Sequence, residues 1–337
     1  MKKTKILYIG NNLAKKTKYQ TTLENLSQQL INANYNVIIS SNKVNKIVRL
    51  LDMCFSIIKN KKYLDYILID TYSTTNFYYA FFTSQLARLF KIKYIPILHG
   101  GNLPDRVKKN TYLSKKIFKN SYKNVAPSNY LKNAFEKEGY IVEYIPNTIN
   151  IKDYPFKKRE IIKPKLLWVR AFKNIYNPTF AIETLQILKK NYPEAVLCMI
   201  GPFLDESYNK TLELVKKYNL ESSVEFTNVL SKEDWHKKAS EFDVFINTTN
   251  FDNTPVSVIE AMALGLPIVS SNVGGMPYLV IDKKDGLLVD KNDAQQMSAA
   301  ITSLLNNKYS NLAENARMKV ENFDWEKVRT KWLEILN

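Results

Sequence analysis

Residues 244–270 read VFINTTNFDNTPVSVIEAMALGLPIVS, in which two short apolar runs flank a polar loop and an apolar segment of helix length. The runs Val244–Asn247 and Pro267–Ser270 are apolar up to their last residue, which is typical of strands that helices cover on both faces of a parallel sheet. The segment between them is long enough for one covering helix. This stretch therefore predicts a strand–helix–strand unit.

The same alternation continues in both directions along the chain. The predicted strands are Lys5–Ile9, Asn36–Ser40, Tyr66–Asp70, Tyr94–Leu98, Asn124–Pro127, Val142–Pro146, Lys165–Arg170, Ala195–Ile200, Val224–Thr227, Val244–Asn247, Pro267–Ser270 and Gly286–Val289. Helical patterns separate them, so we predict an α/β fold with two Rossmann-like, doubly wound parallel-sheet domains that face a cleft. A proline- and charge-rich stretch at 147–164 places the boundary near residue 150, giving domains at 1–150 and 151–320.

Composition excludes several classes of protein. The 337 residues are 45% hydrophobic and 24% charged, which suits two globular domains. Two cysteines outside any C-x-x-C pair favour a reducing cytosol without a zinc site, and no apolar stretch is long enough to span a membrane. The sequence lacks G-x-G-x-x-G, G-K-[S/T], D-x-D and H-E-x-x-H motifs. We therefore predict no metal and no cofactor.

The net charge of +17 is unevenly distributed. Residues 1–150 contain 24 Lys and Arg against 8 Asp and Glu, whereas residues 151–337 contain 25 against 24. The basic half predicts an anionic partner, which could be a membrane leaflet, a nucleic acid or a phosphorylated substrate. The stretch Lys43–Lys62 fits a core-facing helix with a solvated basic rim at least as well as a membrane-binding one. With the charge of this half, we favour an anionic membrane surface, because no nucleic-acid-binding module is recognisable.

Glu260 is the only charged residue between Val256 and Val269. A carboxylate in so apolar a helix needs a partner, which is either a buried Lys or Arg or a ligand hydroxyl. The first helical amides, at Val256 and Ser257, offer an anion site. Asp252 lies in the loop that leads into the same helix. An acid, a helix N-terminus and a second acid suit a nucleotide sugar, which has hydroxyls at both ends and phosphate between them.

This segment resembles the D/E-x7-E signature of glycosyltransferase family 4, whose members are retaining enzymes of the GT-B fold. Asp252-Asn-Thr-Pro stands for the first part of that signature, and Glu260-Ala-Met-Ala matches the second. Three further stretches are similar to family motifs: Gly265–Gly275, Ile145–Asn150 and Phe323–Trp325. The resemblance implies a surface-glycan transferase in which residues 321–337 form a C-terminal helix that returns to the N-terminal domain.

The resemblance also implies roles for individual residues. Asp252 would hold the donor sugar hydroxyls, Glu260 the ribose, and Arg170 with Lys173 the diphosphate. His99, which ends an apolar strand, would touch the donor sugar and the leaving phosphate, and we count His99, Asp252 and Glu260 as catalytic. The remaining candidates are Gly201, Asn253, Thr254, Val256 and Ser257 on the donor side, and Gly10, Asn11, Gly100 and Gly101 on the acceptor side. The second histidine, His236, lies in a charged segment and is predicted to be on the surface.

We therefore expect a metal-independent retaining glycosyltransferase that uses a UDP- or GDP-linked sugar. Its acceptor would be lipid-linked or an oligosaccharide, in the synthesis of a surface polysaccharide. The expected location is the cytoplasm, peripheral to the inner face of the cell membrane. Two alternatives stay open: a non-catalytic subunit that binds sugars or nucleotides on the same fold, and a basic nucleic-acid-binding protein.

Overall fold

The computed structural model describes residues 3–12 and 21–337 and divides into two compact units. Unit 1 comprises Met1–Thr148 and Trp325–Asn337, and unit 2 comprises Ile149–Asp324. The divisions thus fall after residues 148 and 324, whereas the sequence-based boundaries are 150 and 320. Unit 1 is built from two separate segments of the chain.

Each unit contains a six-stranded, wholly parallel sheet. The strands are β1 (Lys5–Ile9), β2 (Asn36–Ser40), β3 (Tyr66–Thr71), β4 (Lys93–Leu98), β5 (Val125–Ala126), β6 (Glu143–Tyr144), β7 (Lys165–Val169), β8 (Val196–Ile200), β9 (Val224–Asn228), β10 (Val244–Asn247), β11 (Ile268–Ser271) and β12 (Leu287–Val289). Their orders are β2-β1-β3-β4-β5-β6 and β12-β11-β10-β7-β8-β9. All twelve predicted strands are present, each within two residues of its predicted ends, and the α/β fold with two doubly wound sheets is confirmed.

The described residues form fourteen α-helices. They are α1 (Thr22–Asn32), α2 (Lys46–Asn60), α3 (Asn76–Leu89), α4 (Leu103–Lys109), α5 (Thr111–Phe118), α6 (Asn129–Lys137), α7 (Pro178–Leu188), α8 (Ser207–Lys217), α9 (Lys232–Ala239), α10 (Val256–Ala263), α11 (Met276–Leu279), α12 (Ala294–Leu305), α13 (Leu312–Val320) and α14 (Trp325–Leu336). No helix in residues 3–12 and 21–337 has the length and apolar character needed to cross a bilayer.

The sheet of unit 1 is buried on both faces. Side chains alternate along a strand, so Leu7 and Ile9 join one core while Ile6 and Tyr8 join the other. The first core is shared with α2–α6, and the second is shared with α1 and α14. Near-continuous apolar strands are needed for this arrangement, which explains why β1, β3 and β4 show no polar alternation.

The sheet of unit 2 is built in the same way. Leu167 and Phe245 face a core formed with α9, α10, α11 and α13, and Trp168 and Ile246 face one formed with α7, α8 and α12. The strand β7 lies between β10 and β8, so the chain winds outward in both directions from the centre of the sheet. Ligands of such sheets bind at the carboxyl ends of the strands near this reversal.

Residues 149–164 belong to unit 2 rather than forming a free linker. Tyr154 is 2% exposed, and the Arg159 guanidinium donates to the backbone carbonyls of Phe242 and Gly265 at 2.9 and 2.8 Å. Arg159 also lies 3.5 Å from a carboxylate oxygen of Asp243, and burial lowers its pKa to about 10. The proline- and charge-rich stretch that marks the boundary is therefore packed onto unit 2, where Arg159 anchors it.

Candidate functional site

Four loops of unit 2 meet at the carboxyl edge of its sheet. They follow the neighbouring strands β8, β7, β10 and β11, and they carry Gly201, Arg170, Asp252 and Gly274 respectively. Because parallel strands end at one edge, residues that are about 100 positions apart in sequence become neighbours there. Arg170, Gly201 and Asp252 are site residues that the sequence predicts, and Gly274 lies in one of the family-like motifs.

Arg170 and Asp252 form an ion pair at this edge. A terminal nitrogen of Arg170 meets a carboxylate oxygen of Asp252, and the two side chains are 14% and 17% exposed. The guanidinium also lies over the Tyr176 ring, 4.2 Å from its centroid. Burial lowers the pKa of Arg170, and its interaction with Tyr176 opposes this shift. The sequence assigned these two residues to different parts of a ligand, whereas here they contact each other.

Three glycines leave room for backbone contacts that shape the edge. A Cβ on Gly201 would overlap the carbonyl oxygen of Arg170, and one on Gly275 would overlap the carbonyl oxygen of Asn253. Gly274 has φ +53°, and a Cβ there would overlap the carbonyl oxygen of Asp252. The Gly275 amide donates to that same carbonyl at 2.9 Å. These contacts hold the Asp252 loop against the loop that follows β11.

The N-terminus of α10 has no side-chain cap. The helix begins at Val256, and Pro255 occupies the cap position without a capping side chain. Thr254, one residue earlier, does not cap α10. No hydrogen bond of the described chain involves the amides of Val256 or Ser257, so these first-turn donors are left open.

Several buried polar atoms near the helix start have no hydrogen-bond partner among residues 3–12 and 21–337. They are Arg170 Nε, Asn250 Oδ1, Thr254 Oγ1 and Ser257 Oγ. Buried polar groups are nearly always paired, so a group of unpaired ones in a single loop region is unusual. Together with the open amides of α10, they form a polar surface that can accept a polar, anionic ligand.

Glu260 lies one turn further along α10. The Tyr154 hydroxyl donates to Glu260 Oε1 at 2.7 Å, and the Lys232 ammonium lies 4.6 Å from the centroid of the Tyr154 ring. Burial raises the pKa of Glu260, while the Tyr154 hydrogen bond and the Lys232 charge oppose the rise. In the described part of the chain, no Lys, Arg or His lies within 4.0 Å of this carboxylate. Its second oxygen is left for another partner.

His236 is not a surface residue, which corrects the sequence-based expectation. Its half-buried ring lies 4.7 Å from the Tyr154 ring and 4.9 Å from the Trp235 ring, measured between centroids. Burial, with the nearby Lys232 charge, lowers the pKa of His236 to about 4. The helix α9 places Trp235 and His236 toward the protein and Lys237 toward solvent. The charged residues beside His236 in sequence therefore do not indicate its burial.

The remaining donor-side candidates are near these groups in sequence but differ in burial. Asn253 is buried, and its amide donates to Asp252 Oδ1 at 2.8 Å, which closes the loop on itself. Val256 and Ser257 are half-buried in the first turn of α10. Lys173 is exposed in the loop after β7, and the Asn174 amide beside it is bonded to Asp205.

In unit 1, His99 belongs to a buried polar cluster at the carboxyl ends of β1, β3 and β4. Its Nε2 lies 2.9 Å from Asp70 Oδ1, which also accepts a hydrogen bond from the Tyr8 hydroxyl at 2.9 Å. The imidazole stacks on the Tyr72 ring with 4.9 Å between centroids. Burial, followed by the charge of Asp70, raises the pKa of Tyr8 well above its ordinary value. Asp70 thus fixes the orientation of the His99 ring.

The acceptor-side candidates lie beside this cluster. A Cβ on Gly10 would crowd Asp70 Oδ2 and overlap the Leu23 side chain, so a larger residue there requires both side chains to move. Asn11 Oδ1 accepts a hydrogen bond from the Arg49 guanidinium at 2.8 Å. Gly100 has φ +78°, and the carbonyl of Gly101 accepts a hydrogen bond from Tyr130 at 3.2 Å. Arg49 of α2 thus contacts the loop after β1, and Tyr130 of α6 contacts the loop after β4.

Sequence reasoning missed the partners of the predicted residues. Tyr154, Lys232 and Tyr176 lie in segments without a motif. Asp70 is the penultimate residue of β3, after four apolar or aromatic residues. A polar residue at the carboxyl end of a parallel strand is a usable signal, and it would have found Asp70. In residues 3–12 and 21–337, no group of three or more His, Cys, Asp or Glu side chains is arranged to hold a metal.

The comparisons identify the class of protein that this fold and site define. A family model described as glycosyl transferases group 1 matches residues 151–319, which is half of the chain and nearly all of unit 2. The chain therefore belongs to the glycosyl transferases group 1 family. The sequence motifs are therefore confirmed as those of a glycosyltransferase.

Particular relatives are similar to parts of the chain. An uncharacterized glycosyltransferase of Haemophilus influenzae is 30% identical over 160 residues, which cover 47% of this chain and 44% of that protein. The UDP-Gal:alpha-D-GlcNAc-diphosphoundecaprenol alpha-1,3-galactosyltransferase of Escherichia coli is 25% identical over 210 residues, covering 55% of this chain and 52% of that protein. The chain thus spans about half the length of these relatives.

Solved structures resemble the whole chain. Sucrose-phosphate synthase from Thermosynechococcus elongatus superposes with a TM-score of 0.81 at 18% identity, covering 99% of this chain and 98% of that one. Anabaena HepE in complex with UDP and glucose gives 0.77 at 16% identity, covering 99% of both chains. At such identities the likeness concerns the fold alone, and it establishes the GT-B fold for this chain.

Proposed function

We propose that this protein is a retaining glycosyltransferase that transfers a sugar from a UDP- or GDP-linked donor to a lipid-linked or oligosaccharide acceptor. Unit 2 holds the donor, and unit 1 serves the acceptor. In the transfer, the bond between the anomeric carbon and the donor phosphate oxygen breaks, and a bond to the acceptor oxygen forms. The acceptor proton passes to the departing phosphate, and the product keeps the configuration of the donor.

One observation carries the proposal: unpaired buried polar atoms surround the uncapped start of α10. The open amides of Val256 and Ser257 suit a diphosphate, because a helix N-terminus carries partial positive charge. Arg170 adds a guanidinium that can bind phosphate with two parallel hydrogen bonds, and Lys173 adds a second cation. These groups neutralise the diphosphate in a mechanism that needs no metal ion.

Glu260 and Asp252 bind opposite ends of the donor, the ribose and the transferred sugar. Glu260 accepts from the ribose hydroxyls with the oxygen that Tyr154 does not occupy, and Asp252 accepts from hydroxyls of the sugar. Asn253 and Gly201 maintain the loop backbone around the donor. When the donor binds, Asp252 gives up its contact with Arg170 and contacts the sugar instead. The Arg170 guanidinium is then available to the phosphates.

The assignments in unit 1 are also part of the proposal. His99 acts in the transfer step with its ring held by Asp70, and the backbone around Gly10, Asn11, Gly100 and Gly101 lines the acceptor side. The comparisons support the proposed classes of donor and acceptor in two ways. HepE was solved with UDP and glucose, and the Escherichia coli relative is named for a diphosphoundecaprenol acceptor.

The proposed location is the cytoplasmic face of the cell membrane, in the synthesis of a surface polysaccharide. The sequence of unit 1 carries 27 Lys and Arg against 10 Asp and Glu, whereas that of unit 2 carries 22 of each. All of the net positive charge thus belongs to the unit assigned to the acceptor. An acceptor anchored in an anionic bilayer is consistent with this distribution.

The test is a thermal-shift screen against nucleoside diphosphates and their sugars, followed by turnover measurements with the donor that binds. Binding raises the apparent stability by mass action. Glu260→Ala and Arg170→Ala are each expected to abolish turnover, whereas Glu233→Ala, at an exposed acid on α9, keeps it. Full activity in both site variants refutes the proposed site. Donor binding with no transfer or hydrolysis identifies a non-catalytic subunit instead.

A further inference from the structure

The outer surface of α2 is apolar, which is the reverse of what an ordinary surface helix shows. Ile47, Leu51 and Phe55 are four residues apart, share one face of the helix, and are 72%, 62% and 61% exposed. Val44, Val48 and Ile58 extend the same exposed stripe. We call these six residues the α2 outer face.

This face is not needed for the core of unit 1. The opposite side of α2 supplies Met53 and Ile57, which are almost completely buried against the sheet. Arg49 is also buried, and its guanidinium donates to Asn11 Oδ1 and to the carbonyls of Lys43 and Val44. The helix is therefore fully docked through one side, and its second apolar stripe has no structural task within unit 1.

The neighbouring helices extend the apolar area. In unit 1, α2 packs on α3 and α3 packs on α5, and all three contribute to the same core on one side of the sheet. Tyr78, Phe82 and Leu89 on α3 and Tyr112 on α5 are exposed. Of the twenty-one large hydrophobic side chains exposed in the described residues, eleven lie between Val44 and Tyr112. Exposed apolar side chains in such concentration mark an interaction surface.

The charges around this layer are almost all positive. Exposed lysines lie at both ends of α2: Lys43 and Lys46 at its start, and Lys59, Lys61 and Lys62 at its end. Between residues 43 and 119 the sequence contains fifteen Lys and Arg against four Asp and Glu. An apolar stripe with lysines at its margins is complementary to a partner that has anionic groups at its surface and an apolar layer beneath them.

We infer that the α2 outer face binds the surface of an anionic phospholipid bilayer. The apolar stripe enters the boundary between head groups and acyl chains, and the flanking lysines contact the phosphates. A second copy of the chain fits the face less well, because two such surfaces would bring like charges together. This inference concerns unit 1 alone and does not depend on donor binding by unit 2.

The experiment measures the partition of the full-length protein onto sedimented vesicles, using the paired variant Leu51→Asp with Phe55→Asp. Vesicles of phosphatidylglycerol mixed with phosphatidylcholine are expected to bind the wild type, and the variant is expected to bind at least ten times more weakly. Phosphatidylcholine vesicles alone should bind the wild type poorly, and added salt should weaken its binding to the mixed vesicles.

The matched control is Ile161→Asp with Ile281→Asp, two exposed positions of unit 2 that add the same charge. It is expected to bind the anionic vesicles like the wild type, and unchanged melting temperatures show that both proteins fold. Equal binding by the α2 variant, or equal binding of the wild type to neutral vesicles, overturns the inference. So does self-association of the wild type without vesicles that the α2 variant abolishes, because the face is then a contact between copies.

Discussion

Arg170 and Asp252 are 82 positions apart in sequence, and their side chains form a largely buried ion pair at the carboxyl edge of the sheet of unit 2. Each lies directly beside groups that a phosphorylated ligand would need: the Tyr176 ring beneath the guanidinium, and the open start of α10 after Asp252. The pair keeps both charges compensated in the absence of ligand. A ligand that separates it must compensate the guanidinium itself.

Asp252→Asn is expected to affect the stability of the protein, its affinity for nucleoside diphosphate and its turnover in different ways. Loss of the carboxylate leaves the Arg170 charge without its partner, and the free energy of unfolding should fall by roughly 2–4 kcal/mol without ligand. The variant should bind nucleoside diphosphate several-fold more tightly than the wild type does, because the ligand no longer has to displace the Asp252 carboxylate from Arg170. Sugar turnover should fall at least about 100-fold, because a contact to the sugar is lost.

Urea unfolding, calorimetry of nucleoside diphosphate binding and donor turnover measure these three changes. Asp290→Asn serves as the control, because it removes the charge of an exposed carboxyl in the same unit. Weaker nucleoside diphosphate binding by Asp252→Asn would contradict the view that Asp252 and the phosphates compete for Arg170.

Glu260 should make the stability of the protein depend on pH. Burial raises its pKa in the folded state above its ordinary value of 4.5, so ionisation favours the unfolded chain. The stability contribution of Glu260 is fully present below pH 4.5 and is lost as the pH rises through the folded pKa. Glu260→Gln cannot ionise, so its stability relative to the wild type should increase over that interval.

Urea unfolding between pH 4 and 8 tests this expectation, with Glu233→Gln as the control at an exposed position. The same Glu260→Gln protein should lose at least about 100-fold in turnover, because an amide is a poor replacement for an anionic acceptor of ribose hydroxyls. A constant stability difference across the pH range would show that Glu260 does not titrate in it.

Tyr154→Phe should weaken donor binding without disturbing the core. The ring stays in place, but Glu260 loses the hydrogen bond that holds its carboxylate and lowers its pKa. The affinity for nucleoside diphosphate should fall about tenfold at neutral pH, which corresponds to loss of one hydrogen bond to a charged group. The loss of affinity at acidic pH should begin at a higher pH than in the wild type, because the pKa of Glu260 rises when the Tyr154 hydrogen bond is lost.

Calorimetric titration of nucleoside diphosphate across pH measures both effects. Tyr208→Phe is the control, since that ring stacks on Phe203 elsewhere in unit 2. If Tyr154→Phe lowered the affinity equally at every pH, its effect would not act through the ionisation of Glu260.

Gly275→Ala should disrupt the loop that carries Asp252. The new methyl group would overlap the carbonyl oxygen of Asn253, and backbone atoms cannot move aside as a flexible side chain would. We expect a loss of several kcal/mol in the free energy of unfolding, together with loss of donor turnover. Thermal and urea unfolding measure the first, and product release measures the second.

Gly139→Ala provides the comparison. Gly139 has φ +78° but nothing within 4 Å of an added Cβ, so alanine there meets backbone strain alone and should cost only about 1 kcal/mol. Similar losses in the two variants would mean that the contact with Asn253 contributes nothing to the stability of the loop.

The architecture could be predicted from the sequence because the strands are buried on both faces. Lys5–Ile9, Asn36–Ser40 and Val244–Asn247 occur with the predicted bounds, since a parallel sheet between helices requires short apolar runs. Helix starts depend on the geometry of single side chains. Ser231 caps α9 by accepting from the Asp234 amide at 3.1 Å, whereas Thr254 leaves α10 uncapped.

Contacts within the site depend on side chains that are distant in sequence, and local patterns do not encode them. Glu260 could be recognised as an acid that needs a partner, but its Tyr154 partner lies 106 positions earlier in a segment with a linker-like composition. His236 was misjudged for the same reason, because its sequence neighbours are charged while its neighbours in space are aromatic. The exposed stripe of α2 likewise follows from packing, since sequence alone fits a core-facing helix equally well.

The position of α14 governs the order in which the protein can complete its folding. Val328 and Trp332 of this helix are buried in the core that Tyr66 and Leu68 of unit 1 help to form, yet the helix follows all of unit 2 in the sequence. During translation, the first 148 residues therefore emerge with an incomplete core that waits for the ribosome to finish the second sheet. Unit 2 is continuous in sequence, so its core needs no segment that is synthesised after it, whereas the core of unit 1 does.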